Sequence, residues 1–207
     1  MKKVFYVLFA VTVMLTFAPG ARAHFKLLEP QGWLVERDNG DPQKKAPCGG
    51  TTADAGMPSN IVNKIQGGQK LHIKLKETVY HPGHYRIALA VNSRSELPAD
   101  PMVVTREGAR GPQSVSAEIQ NPVRIPVLAD GLFAHTTRPD PAAFWETDIE
   151  IPNINCPKCT LQIIQFMAEH GLNADGDYSY HHCADLQITA DPAKPVDTRW
   201  GAGARGR

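Results

Sequence analysis

Five short runs of this chain read as strands, three of them by alternating apolar and polar residues with a period of two. Residues 69–75 (QKLHIKL) set Leu71, Ile73 and Leu75 on one side and His72 and Lys74 on the other. Residues 85–91 (YRIALAV) do the same with Tyr85, Ile87, Leu89 and Val91, and residues 147–152 (TDIEIP) with Ile149 and Ile151. Residues 160–167 (TLQIIQFM) and 184–190 (ADLQITA) are rich in β-branched and apolar side chains. A period of two is the signature of a strand with one buried face. Gly and Pro, 17 of each, punctuate the links between these runs, so the pattern predicts an all-β fold, an antiparallel β-sandwich with long loops. One or two helical turns fit residues 53–66 or 113–120. Residues 92–146 hold Pro, Arg and Ala with fragments of alternation such as VRIPVL (123–128), and read as long loops. Residues 191–207 lack a hydrophobic pattern and read as a disordered tail. No internal repeat is visible.

The N-terminal end reads as an export signal. MKK is followed by VFYVLFAVTVMLTFA, about 15 apolar residues without a charge, then Pro19-Gly20 and the small residues of Ala21-Arg22-Ala23. The run is shorter than the ~20 residues that span a bilayer, so residues 1–23 are expected to be a signal peptide cut after Ala23. An uncleaved anchor is the alternative. Such a protein is secreted or periplasmic, with no membrane span after cleavage and residues 24–190 as its one domain. Removing Lys2, Lys3 and Arg22 leaves 19 Lys and Arg against 21 Asp and Glu. No basic stretch resembles a nucleic-acid footprint, and a near-neutral exported monomer suits an uncharged partner.

The four cysteines, Cys48, Cys156, Cys159 and Cys183, all follow the signal. An even number outside the cytosol favours two disulfides, and four cysteines allow three pairings. Cys156 and Cys159 are close enough in sequence to close on each other, which leaves Cys48 with Cys183. A zinc site built from the C-x-x-C pair, Cys183 and His181 or His182 is the competing arrangement. A thioredoxin-like site lacks its βαβ context.

Cleavage after Ala23 would make His24 the first residue. A terminal histidine offers a metal both its α-amino group and its ring Nδ1. One further imidazole completes a three-nitrogen set, which suits Cu(II). His81-Pro82-Gly83-His84 places two imidazoles at a turn, with Pro and Gly where a type II turn wants them. Both are candidate partners of His24. GDYSYHHCADLQI (176–188) brings two tyrosines and two histidines to a strand entrance next to Cys183, which a Cys48–Cys183 link would hold near the N-terminal region. A tyrosine there could occupy a weak axial position of copper. No nucleophile elbow, phosphate loop, zincin helix or paired carboxylates appears.

Taken together, these residues resemble the lytic polysaccharide monooxygenases and their relatives. His24 behind Ala-Arg-Ala is similar to the mature N-terminal histidine of their copper histidine brace. His81-Pro82-Gly83 resembles the H-x-G turn whose histidine is the second ligand, which points to His81 rather than His84. Cys156-Pro157-Lys158-Cys159-Thr160-Leu161-Gln162 resembles a C-x-x-C-x-L-Q stretch of several branches. Tyr180-x-x-Cys183-Ala184-Asp185-Leu186 resembles the late aromatic-x-x-C-A-D segment, in which the aromatic neighbours copper, here Tyr180. The likeness covers residues 24–50, 69–91 and 147–190. His84 stands where the fungal type often has proline, and Tyr178 where that type has glutamine.

The resemblance implies an immunoglobulin-like or fibronectin-like sandwich with one copper ion on an exposed edge, held by His24 and His81. It implies an external electron donor and oxidative cleavage of glycosidic bonds in a polysaccharide such as chitin or cellulose. Tyr180 and Gln165 are the expected catalytic side chains, with Gln162, Glu169 and His170 as further candidates near the ligands. Trp33 is the expected sugar-stacking residue, and Trp145 a weaker one. The other readings are a copper carrier that uses the same brace without catalysis, and a metal-free carbohydrate-binding sandwich.

Overall fold

A computed structural model describes residues 24–172 and 178–201; the expected signal peptide and the last six residues lie outside them. Ten strands run in chain order: β1 (His24–Glu29), β2 (Val62–Gln66), β3 (Lys70–Val79), β4 (Gly83–Ala90), β5 (Val103–Gly108), β6 (Gly111–Ala117), β7 (Val127–His135), β8 (Trp145–Glu150), β9 (Cys156–Met167) and β10 (Ser179–Thr189). Among the described residues there is no α-helix, and two 3-10 turns cover Arg94–Glu96 and Thr198–Trp200. The fold is an all-β sandwich. A three-stranded sheet in the order β1-β3-β8 faces a five-stranded sheet in the order β2-β10-β9-β4-β7, and β5 and β6 form a hairpin of their own.

The alternating runs become the strands that fill the space between the sheets. Ile73 and Leu75 from β3 meet Ile87 and Leu89 from β4 and Leu161 and Ile163 from β9, all without solvent exposure. Phe25 of β1 joins this core edge-on to Tyr85, with ring centroids 5.2 Å apart. Because side chains alternate across a strand, the polar partners of these residues face outward or into the loops.

Several elements depart from the sequence expectation. No helical turn forms in residues 53–66 or 113–120; they contain β2 and β6 instead. β2 is held by parallel pairing to β10, and β6 by β5, so main-chain partners rather than apolar periodicity define them. Residues 92–146 are not mainly loop, since they hold β5, β6, all of β7 and the start of β8. In β7 the alternation is broken by Gly131, at φ +67°, and by register shifts against β4. Residues 191–201, read as the start of a disordered tail, pack back onto the domain. Asn153 Nδ2 lies 3.0–3.1 Å from the carbonyls of Asp191, Lys194 and Pro195, and Trp200 enters the core. Asn153, Trp200 and a Lys194 Nζ bond to the Gly68 carbonyl at 2.7 Å hold this segment, and none of them makes a periodic pattern.

Both disulfides pair as the spacing suggests, Cys48 with Cys183 and Cys156 with Cys159. No described cysteine is free, which removes the thiolates that the zinc arrangement needs. The Cys48–Cys183 link packs on the outer face of the large sheet with Ala88, Ala90 and Val127.

Candidate metal centre

The site is built where β1, the end of β3, β9 and β10 meet. Residue 24 pairs with Val79 across β1 and β3, so strand register brings it to within two residues of His81. The opposite edge of β1 has no strand beside it and is satisfied by side chains. The Phe25 amide donates to Gln43 Oε1 at 3.2 Å, the Phe25 carbonyl accepts from His182 Nε2 at 3.0 Å, and the Leu27 amide reaches both carboxylate oxygens of Glu36 at 3.2 Å. These bonds settle main-chain groups that would otherwise be left orphaned. Gly40 lets the loop carrying these partners approach, because a Cβ there would lie 2.0 Å from the Phe25 carbonyl oxygen.

The His24 ring is held on two sides. Its Nε2 donates to Asp41 Oδ1 at 3.0 Å, and its face stacks on Tyr180 with centroids 5.2 Å apart and planes 26° apart. With Nε2 committed to Asp41, Nδ1 is the ring nitrogen left for another partner. His81 lies beside His170, with centroids 4.8 Å apart. Burial first, then His170 and more weakly His24, push the His81 pKa down to about 4 against the opposing pull of Glu77. The ring is therefore neutral at pH 7, and its Nδ1 is buried without a hydrogen-bond partner. A neutral, desolvated imidazole is the form that binds metals.

The turn before β4 differs from the type II expectation. Gly83 is the first residue of β4, with φ +157° rather than the roughly +80° of that turn type. Glycine is required by close approach: a Cβ would fall 1.9 Å from the Phe166 carbonyl oxygen on β9. His84 then points away from the core face, against Phe166 and 3.9 Å from Asp130. His81 and His84 are thus separated, and His81 is the one near His24.

Gln165 sits between the two tyrosines, since it pairs with Tyr180 on β10 and with Tyr85 on β4. All three are fully buried. Gln165 Nε2 donates to Glu77 Oε1 at 2.9 Å. The segment leading to His170 is pinned by the β5–β6 hairpin: Ser114 accepts the His170 amide at 3.1 Å and its hydroxyl reaches the Met167 carbonyl.

Trp33 is placed elsewhere. Its Nε1 donates to the Cys48 carbonyl at 2.7 Å, and the Arg94 guanidinium lies 3.8 Å over its ring. It packs beside the Cys48–Cys183 link. Trp145 stacks on Phe133 and lies against His135. Gln162 donates to the Pro47 carbonyl on the outer face. Glu169 lies 3.8 Å from Arg106.

Sequence reasoning missed Asp41, Glu36, Gln43 and Glu77. The first three lie in a loop without periodicity. Glu77 carried a readable signal, because it continues the inward series Leu71, Ile73, Leu75 with an acid. Among the described residues no group of three or more His, Cys, Asp or Glu side chains could hold a metal ion.

No protein-family model and no curated protein matches this chain. Among solved structures, an AA15 lytic polysaccharide monooxygenase from Thermobia domestica in the Cu(I) state aligns with 18% identity and a TM-score of 0.36. The alignment covers 64% of this chain and 65% of that one, and a likeness this loose does not fix a family.

Proposed function

We propose that the chain, cut before His24, is an exported copper protein of the polysaccharide-monooxygenase type. The observation that carries this reading is the His24 environment: a ring fixed through Nε2 by Asp41 and stacked on Tyr180, with the neutral His81 two residues beyond its strand partner Val79. The donors fit the metal. The terminal amine and Nδ1 of His24 would hold copper together with the His81 ring, an all-nitrogen set. Bound copper would supply one-electron chemistry with an external reductant and O₂ or H₂O₂, directed at a C–H bond beside a glycosidic link.

The chain's own residues prepare that chemistry. Asp41 keeps the His24 ring in one tautomer and orientation, as partners of ligating histidines generally do. Tyr180 covers one face of that ring and excludes water from it. Gln165 presents a polar side chain in the same buried row. A polysaccharide is the proposed substrate class, and the two disulfides suit an oxidising compartment.

The test is copper titration of protein produced with a free His24 terminus, followed by mass spectrometry of products from chitin, cellulose and hemicelluloses with reductant and H₂O₂. Tight one-to-one binding lost in His81→Ala, together with oxidised oligosaccharides, is the expected result. Binding indifferent to His81→Ala, or to an extra residue ahead of His24, would overturn the ligand assignment. A copper carrier is the second reading. It would use the same donors without acting on a polymer. Copper binding with no oxidised product across the panel selects the carrier.

A further inference from the structure

We propose that Glu77 is the positioning residue of this centre, one buried carboxylate that sets both the His81 segment and the orientation of the Gln165 amide. The proposal rests on the copper reading for its consequence, but its geometry stands in the metal-free chain.

The Glu77 side chain is 2% exposed. A carboxyl group at such depth is costly unless polar partners meet it. Its Oε1 accepts from Gln165 Nε2 at 2.9 Å and from the His81 amide at 3.1 Å. Its Oε2 lies 3.3 Å from Nε2 of His135, a ring that also contacts the Phe133 carbonyl through Nδ1 at 2.8 Å. β3, β7, β9 and the segment entering β4 therefore converge on one side chain.

The consequence for Gln165 follows from hydrogen-bond chemistry. A carboxylate only accepts, so the amide nitrogen of Gln165 must face Glu77. Its Oε1 then faces away from Glu77, where it is buried without a hydrogen-bond partner between Tyr85 and Tyr180. Glu77 thus dictates that the site side of Gln165 is an acceptor. A neutral amide at position 77 would remove that dictate, because it could satisfy either end of Gln165. The same carboxylate holds the His81 main chain, so the ligand and its polar neighbour are set by one group.

The experiment compares wild type with Glu77→Gln, both with a free His24 terminus. Glu77→Gln preserves size, and we expect Cu(II) affinity to fall about 10- to 100-fold, with a changed Cu(II) electron paramagnetic resonance spectrum and a largely retained apo melting curve. An unchanged spectrum and affinity would overturn the proposal. Should Glu77→Gln not fold, hydrogen exchange in the wild-type apo protein decides. Slow exchange of the Gln165 side-chain amide and the His81 amide supports the carboxylate tether, and fast exchange of both sinks it. Wild type that binds no copper defeats the copper reading alone, since the exchange measurement needs no metal.

Discussion

Asp41 and Tyr180 act on a single ring, and their effects separate at the level of one side chain. Removing Asp41 takes away the acceptor at His24 Nε2 and so weakens the hold on the ring's tautomer and orientation. Asp41→Ala is expected to weaken Cu(II) binding about 10- to 100-fold, read by competition with a chromophoric chelator at pH 7. Equal affinity in the variant would mean that the 3.0 Å contact does not orient the ligand. Part of the proposed site was legible beforehand. His24, His81, Gln165 and Tyr180 belong to motifs or strands, and the fold brings His81 near His24 and Gln165 beside Tyr180. Asp41 was not, because an acid in an aperiodic loop has no partner visible in one dimension. The contacts of Trp33 with Arg94 and the Cys48 carbonyl were hidden for the same reason.

At the level of elements, β1 depends on side chains for half of its main-chain bonding, and a buried pair supplies part of it. Burial pushes the Glu36 pKa up to about 7, against the Leu27 amide and Lys26. Burial likewise pushes His182 down to about 4, against the Phe25 carbonyl. His182 Nε2 must carry a proton to reach that carbonyl, so a protonated Glu36 faces Nδ1 at 3.3 Å. The signs oppose. A lowered histidine loses stability as pH falls from 6.5 toward 4, while a raised glutamate loses it as pH rises from 4.5 through 7. Between 4.5 and 6.5 the folded and unfolded pairs each hold one proton, and their contributions cancel. Glu36→Gln exposes the histidine slope: relative to wild type, it should lose roughly 1–2 kcal/mol of stability between pH 7 and pH 5. Urea unfolding at the two pH values measures this, and parallel behaviour of the two proteins would refute the shared proton. The β5–β6 hairpin serves the site in a similar way through Ser114. Ser114→Ala should cost about 1–3 kcal/mol, with faster amide exchange at His170 than at core positions such as Ile163.

The Cys48–Cys183 bridge acts on the whole molecule, since it joins residues 135 apart. In the chain-entropy model it contributes up to roughly 4–5 kcal/mol, so the double replacement by serine should lower the unfolding midpoint sharply, whereas opening the local Cys156–Cys159 loop should cost less. Comparable losses from both would show that loop length is not what matters here. The all-β architecture, the strands β3, β4, β8, β9 and β10, and both disulfide pairs follow from periodicity and spacing, which are local properties of the chain. The hairpin of β5 and β6, the return of residues 191–201 to the core, and the carboxylates of Asp41, Glu36 and Glu77 around β1 and His81 do not. Those features arise when main-chain groups and buried charges find partners across distant segments, and such pairing has no period along a sequence.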